Sequence, residues 1–268
     1  MKLAITVVKD AAPLAPFVLR GDYVDTIREA AAIGYDAVEL HIADPAEVDA
    51  DAILSACREA GVSVSSIGTG LAFLRDGVTL THPDEAKRQD AQQRIASFIK
   101  LGGKFGCVVI IGLIKGQVRD VGDRALFEER FRHSLDLCLV AAEKHGVTLV
   151  MEAVNRYESD IFNTIAECMA FIDKVGSGRL KIHIDTFHMN TEEDRIGANV
   201  AAAAGYVGHV HVADSNRRFP GCGHYDFAET ISALKQIGYR GALSVECHGL
   251  PTPRAAAEGA LSFLRKAI

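Results

Sequence analysis

Glu152, Asp185, His211 and Glu246 each close a short apolar run, in LVMEAVN, KIHIDTFH, GHVHVAD and ALSVECHG. Acidic side chains are seldom fully buried unless they are paired or bound to a metal. The four recur 33, 26 and 35 residues apart, and each interval has the length of one strand-plus-helix unit. Such spacing brings ligands from consecutive strands together at the C-terminal face of a parallel barrel. Three carboxylates with one imidazole suit a hard or borderline divalent cation: Mn²⁺, Mg²⁺ or Co²⁺. On an octahedral ion, four protein ligands leave room for two neighbouring substrate oxygens. Structural zinc more often takes Cys/His sets. The competing interpretation is four unrelated polar strand ends that face solvent. Without an ion, three converging carboxylates repel one another and their pKa values rise.

Alternation adds a second layer. Side chains two apart on a strand share a face, so Val150, His183, His209 and Ser244 lie beneath the four candidate ligands. Met151, Ile184, Val210 and Val245 point the other way, toward helices. Barrel interiors are usually filled with branched apolar residues. His183, His209 and Ser244 are therefore expected to donate hydrogen bonds that orient the carboxylates; the alternative is a plain role as hydrogen-bonded core. Further polar candidates follow the strands: Asn155, Arg156 and Glu158, then His188 and Asn190, then Asn216, Arg217 and Arg218. Each taken alone reads as a solvated loop residue, and Arg156 as one half of a structural ion pair.

The elements that must hold these residues repeat a helical pattern, a glycine and a β-rich run, as in REAGVSVSSI, KLGGKFGCVVII and AEKHGVTLVME. Glycine just past a helix accepts the left-handed conformation without a Cβ clash. Runs such as CVVIIG are apolar at consecutive positions, as strands covered on both faces are. Strands are expected near residues 3–8, 37–42, 63–68, 107–112, 147–152, 180–185, 207–212 and 242–247, with helices between them. Eight alternating units make a (β/α)8 TIM barrel, α/β in class, with residues 1–268 as one domain. An open doubly wound sheet usually carries a glycine-rich turn after its first strand; KDAAPLAPF here has no glycine and two prolines. Connections 9–21, 69–83 and 213–225 are long for such units and are expected to form lids on the face of the four strand ends. Leu71, Phe73 and Leu74 are expected to cover the substrate.

Composition bounds the rest. At 268 residues, 49% hydrophobic and 24% charged, the chain is long enough for a large core. No linker or low-complexity tract interrupts it. The start, MKLAITVVKD, argues against a signal peptide, and no run approaches the roughly 20 apolar residues of a membrane span. Six cysteines lie 25 or more residues apart without a CxxC pair, which predicts reduced thiols in a cytoplasmic protein. A net charge of −6 argues against nucleic acid as a partner. The expected partners are a small-molecule substrate and further copies of the chain, as a dimer or tetramer, with no membrane.

MEAVNRYES, HIDTFHMNTEED and HVHVADSNRRFPGCG resemble segments of the ketose 3-epimerases, the D-tagatose and D-psicose 3-epimerase group of the xylose-isomerase-like barrel superfamily. The likeness is dense from Val150 to about Cys247 and topological before it. It implies that Glu152, Asp185, His211 and Glu246 bind one Mn²⁺, Co²⁺ or Mg²⁺ per chain, Mn²⁺ first. It implies that Glu152 and Glu246 exchange the C3 proton of a ketose, and that Glu158, His188 and Arg217 hold sugar oxygens near the carbonyl. A carbonyl polarised by a cation makes the adjacent C–H more acidic. One glutamate then removes the proton to give a cis-enediolate, and the second returns one to the opposite face. The chain departs from the family where it has no Trp near the sugar tail, where Leu113 follows strand four, where His248 follows the last ligand, and where Val-Ala-Asp replaces Thr-Gly-Glu after His211. These departures leave the sugar, and whether it is phosphorylated, open.

Three other functions compete. An aldose–ketose isomerase of the hydroxypyruvate or inosose type would use the same metal. An abasic-site endonuclease of the endonuclease IV type, a phosphodiesterase, needs further histidines at the ends of strands three and four, where SIGTG and IIGLI stand, and a basic surface. A non-catalytic sugar-binding barrel has no use for two opposed glutamates.

Overall fold

Five of the longer helices begin on a side-chain cap and stop at a glycine, and each of these stops leads into a strand. Asp84 and Asp123 cap the helices Glu85–Phe105 and Arg124–His145 by accepting backbone N–H groups, which satisfies donors that a helix start leaves unpaired. The first of these helices ends at Gly106, whose φ of 68° is a conformation other residues adopt only at a steric penalty. The computed structural model describes residues 1–268.

In chain order the strands are β1 (Lys2–Val8), β2 (Leu19–Arg20), β3 (Ala37–His41), β4 (Ser63–Gly68), β5 (Val108–Ile111), β6 (Leu149–Glu152), β7 (Leu180–Asp185), β8 (Val207–Val212) and β9 (Ala242–Val245). All pairings are parallel, and β1 pairs with both β3 and β9, closing an eight-stranded barrel. The short β2 sits beside the end of β1, through Val7 and Val8, beyond the stretch that β9 pairs. The fold is the expected TIM barrel, and the strands fall within two residues of their expected limits. Of the long connections, 9–21 contains β2, 69–83 contains the helix Gly70–Asp76, and 213–225 has no helix or strand. No helix is long and apolar enough to cross a membrane, and all six cysteines are free.

The main apolar core lies between strands and helices; Ala4, Ala37 and Ala242 form a separate small cluster. The rest of the barrel interior is unusually polar: Thr6, Glu39, Ser66, His183, His209 and Ser244 are all buried. Outside the barrel, Phe131 stacks on Phe171 at 5.3 Å between centroids, and Phe162 packs against both. Phe162 lies in the loop that carries Glu158, so this cluster helps to seat one wall of the cavity described below. Phe131→Ala should lower stability by about 3–5 kcal/mol, the usual range for a phenyl truncated in a packed core, measured by denaturant unfolding.

Candidate active site

The C-terminal ends of β6, β7, β8 and β9 bring Glu152, Asp185, His211 and Glu246 to one floor. Ligand-type atoms of Glu152, Asp185 and His211 all lie within 4.8 Å of one another. His211 Nδ1 lies 3.9 Å from Asp185 Oδ2 and 3.6 Å from Glu246 Oε2. Asp185 also caps the helix Thr186–Glu192: its Oδ1 accepts the Phe187 N–H at 2.7 Å. Asp185 Oδ2 and His211 Nδ1 are buried without any hydrogen-bond partner. Such orphaned buried atoms are costly, and here they face one another across less than twice the roughly 2.1 Å bond of a small divalent ion. The donor set and its unpartnered atoms therefore fit a divalent cation.

The charges show the same strain. Burial pushes the Glu152 carboxyl well up, and the neighbouring Glu246 and Asp185 add to the push against the pull of His211. Asp185 is raised by its burial and by Glu246. Glu246 is buried too, but His211 and Arg217 hold it low.

Beneath this floor lies a carboxylate that the reading of strand ends missed. Glu39, from the middle of β3, contacts His41 Nε2 at 2.7 Å, His209 Nε2 at 2.6 Å, His211 Nε2 at 2.6 Å and Ser66 Oγ at 2.5 Å. Burial opposes its charge, yet His211 and these hydrogen bonds hold it well below the usual carboxylate range. His41, two residues on, lines the cavity, with the Phe17 ring 4.1 Å away. The period-two alternation that singled out His183 and His209 would have found Glu39 and His41 in AVELHI. Lys115, also missed, is wholly buried, and its Nζ points at the carbonyl oxygens of Gly112 and Glu152 at 3.3 and 3.5 Å. Its signal was a lone lysine in the apolar run IIGLIKG.

Of the residues expected to steady the carboxylates, only His209 makes such bonds, and it makes them to Glu39. His183 stands edge-on to His211, centroids 4.0 Å apart, with neither ring nitrogen hydrogen-bonded. Its nearest approach to Glu152 is 4.0 Å. Ser244 Oγ is likewise buried and unpartnered. These two line the lumen and make no hydrogen bond to a carboxylate.

Above the floor, Glu158, His188 and Arg217 all line the same cavity, of about 220 Å³. His188 Nδ1 is 2.7 Å from the Asn155 amide, and its Nε2 faces Glu152 and Asp185 at 3.6 and 3.8 Å. Burial and the nearby Arg217 keep its imidazole neutral, well below the usual range. Arg217 spans Glu158 at 2.7 Å and Glu246 at 3.4 Å. Its backbone is left-handed at φ 58°, a strained conformation for a side-chain-bearing residue. The surrounding loop enforces it: Arg217 N–H donates to Asp214 O, and His248 N–H donates to Arg217 O, both at 2.8 Å. Asp214 organises that loop, accepting the N–H groups of Ser215, Gly221 and Tyr225. Gly223 passes so close to Asp214 that a Cβ there would sit 2.2 Å from Oδ1.

The remaining polar candidates separate cleanly. Arg156 forms a bidentate ion pair with Glu192 away from the cavity. Asn216 and Arg218 do not line it. Of the expected lid residues, Leu74 lines the cavity; Leu71 lines a neighbouring cleft and Phe73 neither. The helix Gly70–Asp76 turns those three side chains in different directions.

Comparison with known proteins agrees with the barrel fold. The sequence profile of the family described as xylose isomerase-like TIM barrel matches residues 27–267. An L-ribulose 3-epimerase of Mesorhizobium japonicum is 34% identical over 80% of this chain and 71% of its own. A D-psicose 3-epimerase of Ruminiclostridium cellulolyticum is 31% identical over 84% and 78%. The crystal structure of D-psicose 3-epimerase with D-tagatose from Clostridium cellulolyticum H10 superposes with a TM-score of 0.85 at 26% identity, covering 100% of this chain and 99% of the other. These relatives are named as sugar epimerases, which are isomerase-class enzymes. The chain belongs to the xylose isomerase-like TIM barrel family, and among its relatives there are the ketose 3-epimerases.

Proposed function

We propose that this protein is a divalent-metal-dependent epimerase that inverts C3 of an unphosphorylated ketose or keto-sugar. The observation that carries the proposal is the pair Glu152 and Glu246, flanking His211 on the cavity floor beside the unpartnered Asp185 Oδ2. Glu152, Asp185, His211 and Glu246 would hold the ion, Mn²⁺ first. When bound, it supplies Lewis acidity next to a substrate carbonyl.

Glu152 and Glu246 act as the two bases: one removes the proton from C3 and the other delivers one from the opposite side, inverting the centre. His188, kept neutral, offers its Nε2 edge to a sugar oxygen. Arg217 brings a fixed positive charge to the enediolate, where preorganised charge is most effective. Glu158 holds the guanidinium in place. An aldose–ketose isomerase could use the same floor but needs only one base. The substrate class follows from the lining. Arg217 is the one Lys or Arg on the cavity wall, and both its terminal nitrogens are taken by Glu158 and Glu246. A wall with a single, already paired guanidinium favours an uncharged sugar over a sugar phosphate.

Four outcomes are expected. Stripping with a chelator and adding Mn²⁺ or Co²⁺ should stabilise the fold by about 2.7 kcal/mol at roughly 100 times the dissociation constant, read as a rise in melting temperature. Metal analysis should give one ion per chain; two or three zincs would point to phosphodiester hydrolysis instead. Glu152→Gln and Glu246→Gln should each cut turnover by about 10²–10⁴-fold, because glutamine keeps the shape and cannot take a proton. Near-normal turnover in either variant removes the two-base mechanism. Turnover in D₂O should deposit deuterium at C3 of a ketose such as L-ribulose or D-psicose and leave C1 unlabelled. Label at C1 or C2 alone identifies an aldose–ketose isomerase.

A further inference from the structure

Glu39 has no exposure to solvent and lies one layer below the cavity floor. Its oxygens divide four partners evenly. Oε1 meets His41 Nε2 and His211 Nε2 at 2.7 and 2.6 Å, and Oε2 meets His209 Nε2 and Ser66 Oγ at 2.6 and 2.5 Å. A carboxylate accepts at about four lone-pair positions and donates at none. With all four filled there is no room for a proton of its own, so each partner must be the donor.

A tautomer follows. In all three imidazoles Nε2 therefore carries a hydrogen, so the nitrogen that remains to give a lone pair to a cation is Nδ1. For His211 that nitrogen faces Asp185 Oδ2 and Glu246 Oε2, 3.9 and 3.6 Å away, and has no hydrogen-bond partner. The opposite tautomer would aim an N–H at the ion and a lone pair at Glu39, failing at both ends. His41 and His209 anchor Glu39 from β3 and β8, and Ser66 does so from β4.

We propose that Glu39 is a positioning residue for the metal centre, fixing His211 with Nε2 protonated so that Nδ1 is the ligand atom. This rests on the metal centre proposed above, though not on any particular substrate. Carboxylates placed behind ligating histidines raise ligand basicity and lock the ring, and their loss typically weakens metal binding by about 10–100-fold.

The test titrates Mn²⁺ into chelator-treated full-length protein, following free ion by electron paramagnetic resonance, for wild type and Glu39→Gln. Glutamine fills the same space but presents one acceptor oxygen and an amide donor, so at least one imidazole loses its partner. The expected result is a dissociation constant raised by about 10–100-fold, with cooperative melting of the metal-free variant retained. An unchanged dissociation constant with only a lower melting temperature overturns the proposal and makes Glu39 a packing group. A second measurement does not depend on the variant folding: ¹⁵N resonances of the wild-type histidines with diamagnetic Mg²⁺ bound. His211 should show a protonated Nε2 and a bare Nδ1; protonation at Nδ1 overturns the proposal. The two readings fail differently. A wild type that takes up no Mn²⁺ removes the metal centre and Glu39's role with it. A wild type that binds Mn²⁺ no better than Glu39→Gln removes Glu39's role alone.

Discussion

Burying a charge away from water is expensive unless a partner compensates it, and this barrel buries carboxylates on two levels. Glu39, Asp185 and Glu246 are all among its buried residues, with Glu152 beside them. Most TIM barrels fill this space with branched apolar side chains. Here it holds histidines, because an imidazole can donate to a carboxylate below with one nitrogen and offer a lone pair above with the other. His211 spans the two levels, with Nε2 on Glu39 and Nδ1 toward Asp185 and Glu246. The lower level balances within the protein, with four donors for Glu39. The upper level does not, and Asp185 Oδ2 is left without a partner. That imbalance, more than any single residue type, marks the floor as a place for a cation.

The same constraint reaches into the loops. Arg217 must bring its guanidinium over the floor to pair with Glu246, and it does so in a left-handed backbone conformation. Such a conformation costs of order 1–3 kcal/mol and persists only where its surroundings over-determine it. Asp214 supplies the surroundings. Its burial opposes ionisation, but the N–H groups of the 215–225 loop hold its carboxyl below the ordinary range. The loop is long and lacks regular structure, yet it is tied to one carboxylate at the end of β8. In the Val-Ala-Asp sequence, which departs from Thr-Gly-Glu, the Asp is thus the organiser of this loop.

Much of this was legible in the sequence because barrel strands are short and periodic. A polar residue ending an apolar run announces itself, which is how Glu152, Asp185, His211 and Glu246 emerged. Glu39 was invisible to that search because it stands in the middle of its strand, where an acidic residue contradicts the usual filling of a barrel. Only the pairing of β3 with β4, and closure of the ring, bring it within reach of Ser66 and the histidines of β8. His183 failed for the opposite reason. Its position beneath a ligand was read correctly, but its ring turned edge-on to His211 and bonded to nothing. Alternation gives the face of a strand and not the rotamer. The segment 69–83 shows a similar limit: its apolar residues were evident, but a short helix sends Leu74 to the cavity and Phe73 away from it.

The cavity wall divides along the chain. Glu152, Glu158, His188, His211, Arg217 and Glu246 come from the second half of the barrel and are nearly all its chemistry. The first half contributes mainly shape: Ala15, Pro16 and Phe17 from the first long connection, Leu74 from the second, and Ile110 and Leu113 around β5. Phe17 is the one aromatic carbon ring on the wall. In the proposed reaction, chemistry at a carbon beside a carbonyl asks the same of its bases and its cation whichever sugar is bound. The apolar side chains on the loops would then meet the far end of the sugar, and they can change length and bulk without disturbing a buried charge. A barrel of this kind can therefore alter its substrate through connections 9–21 and 69–83 while leaving β6 to β9 as they are.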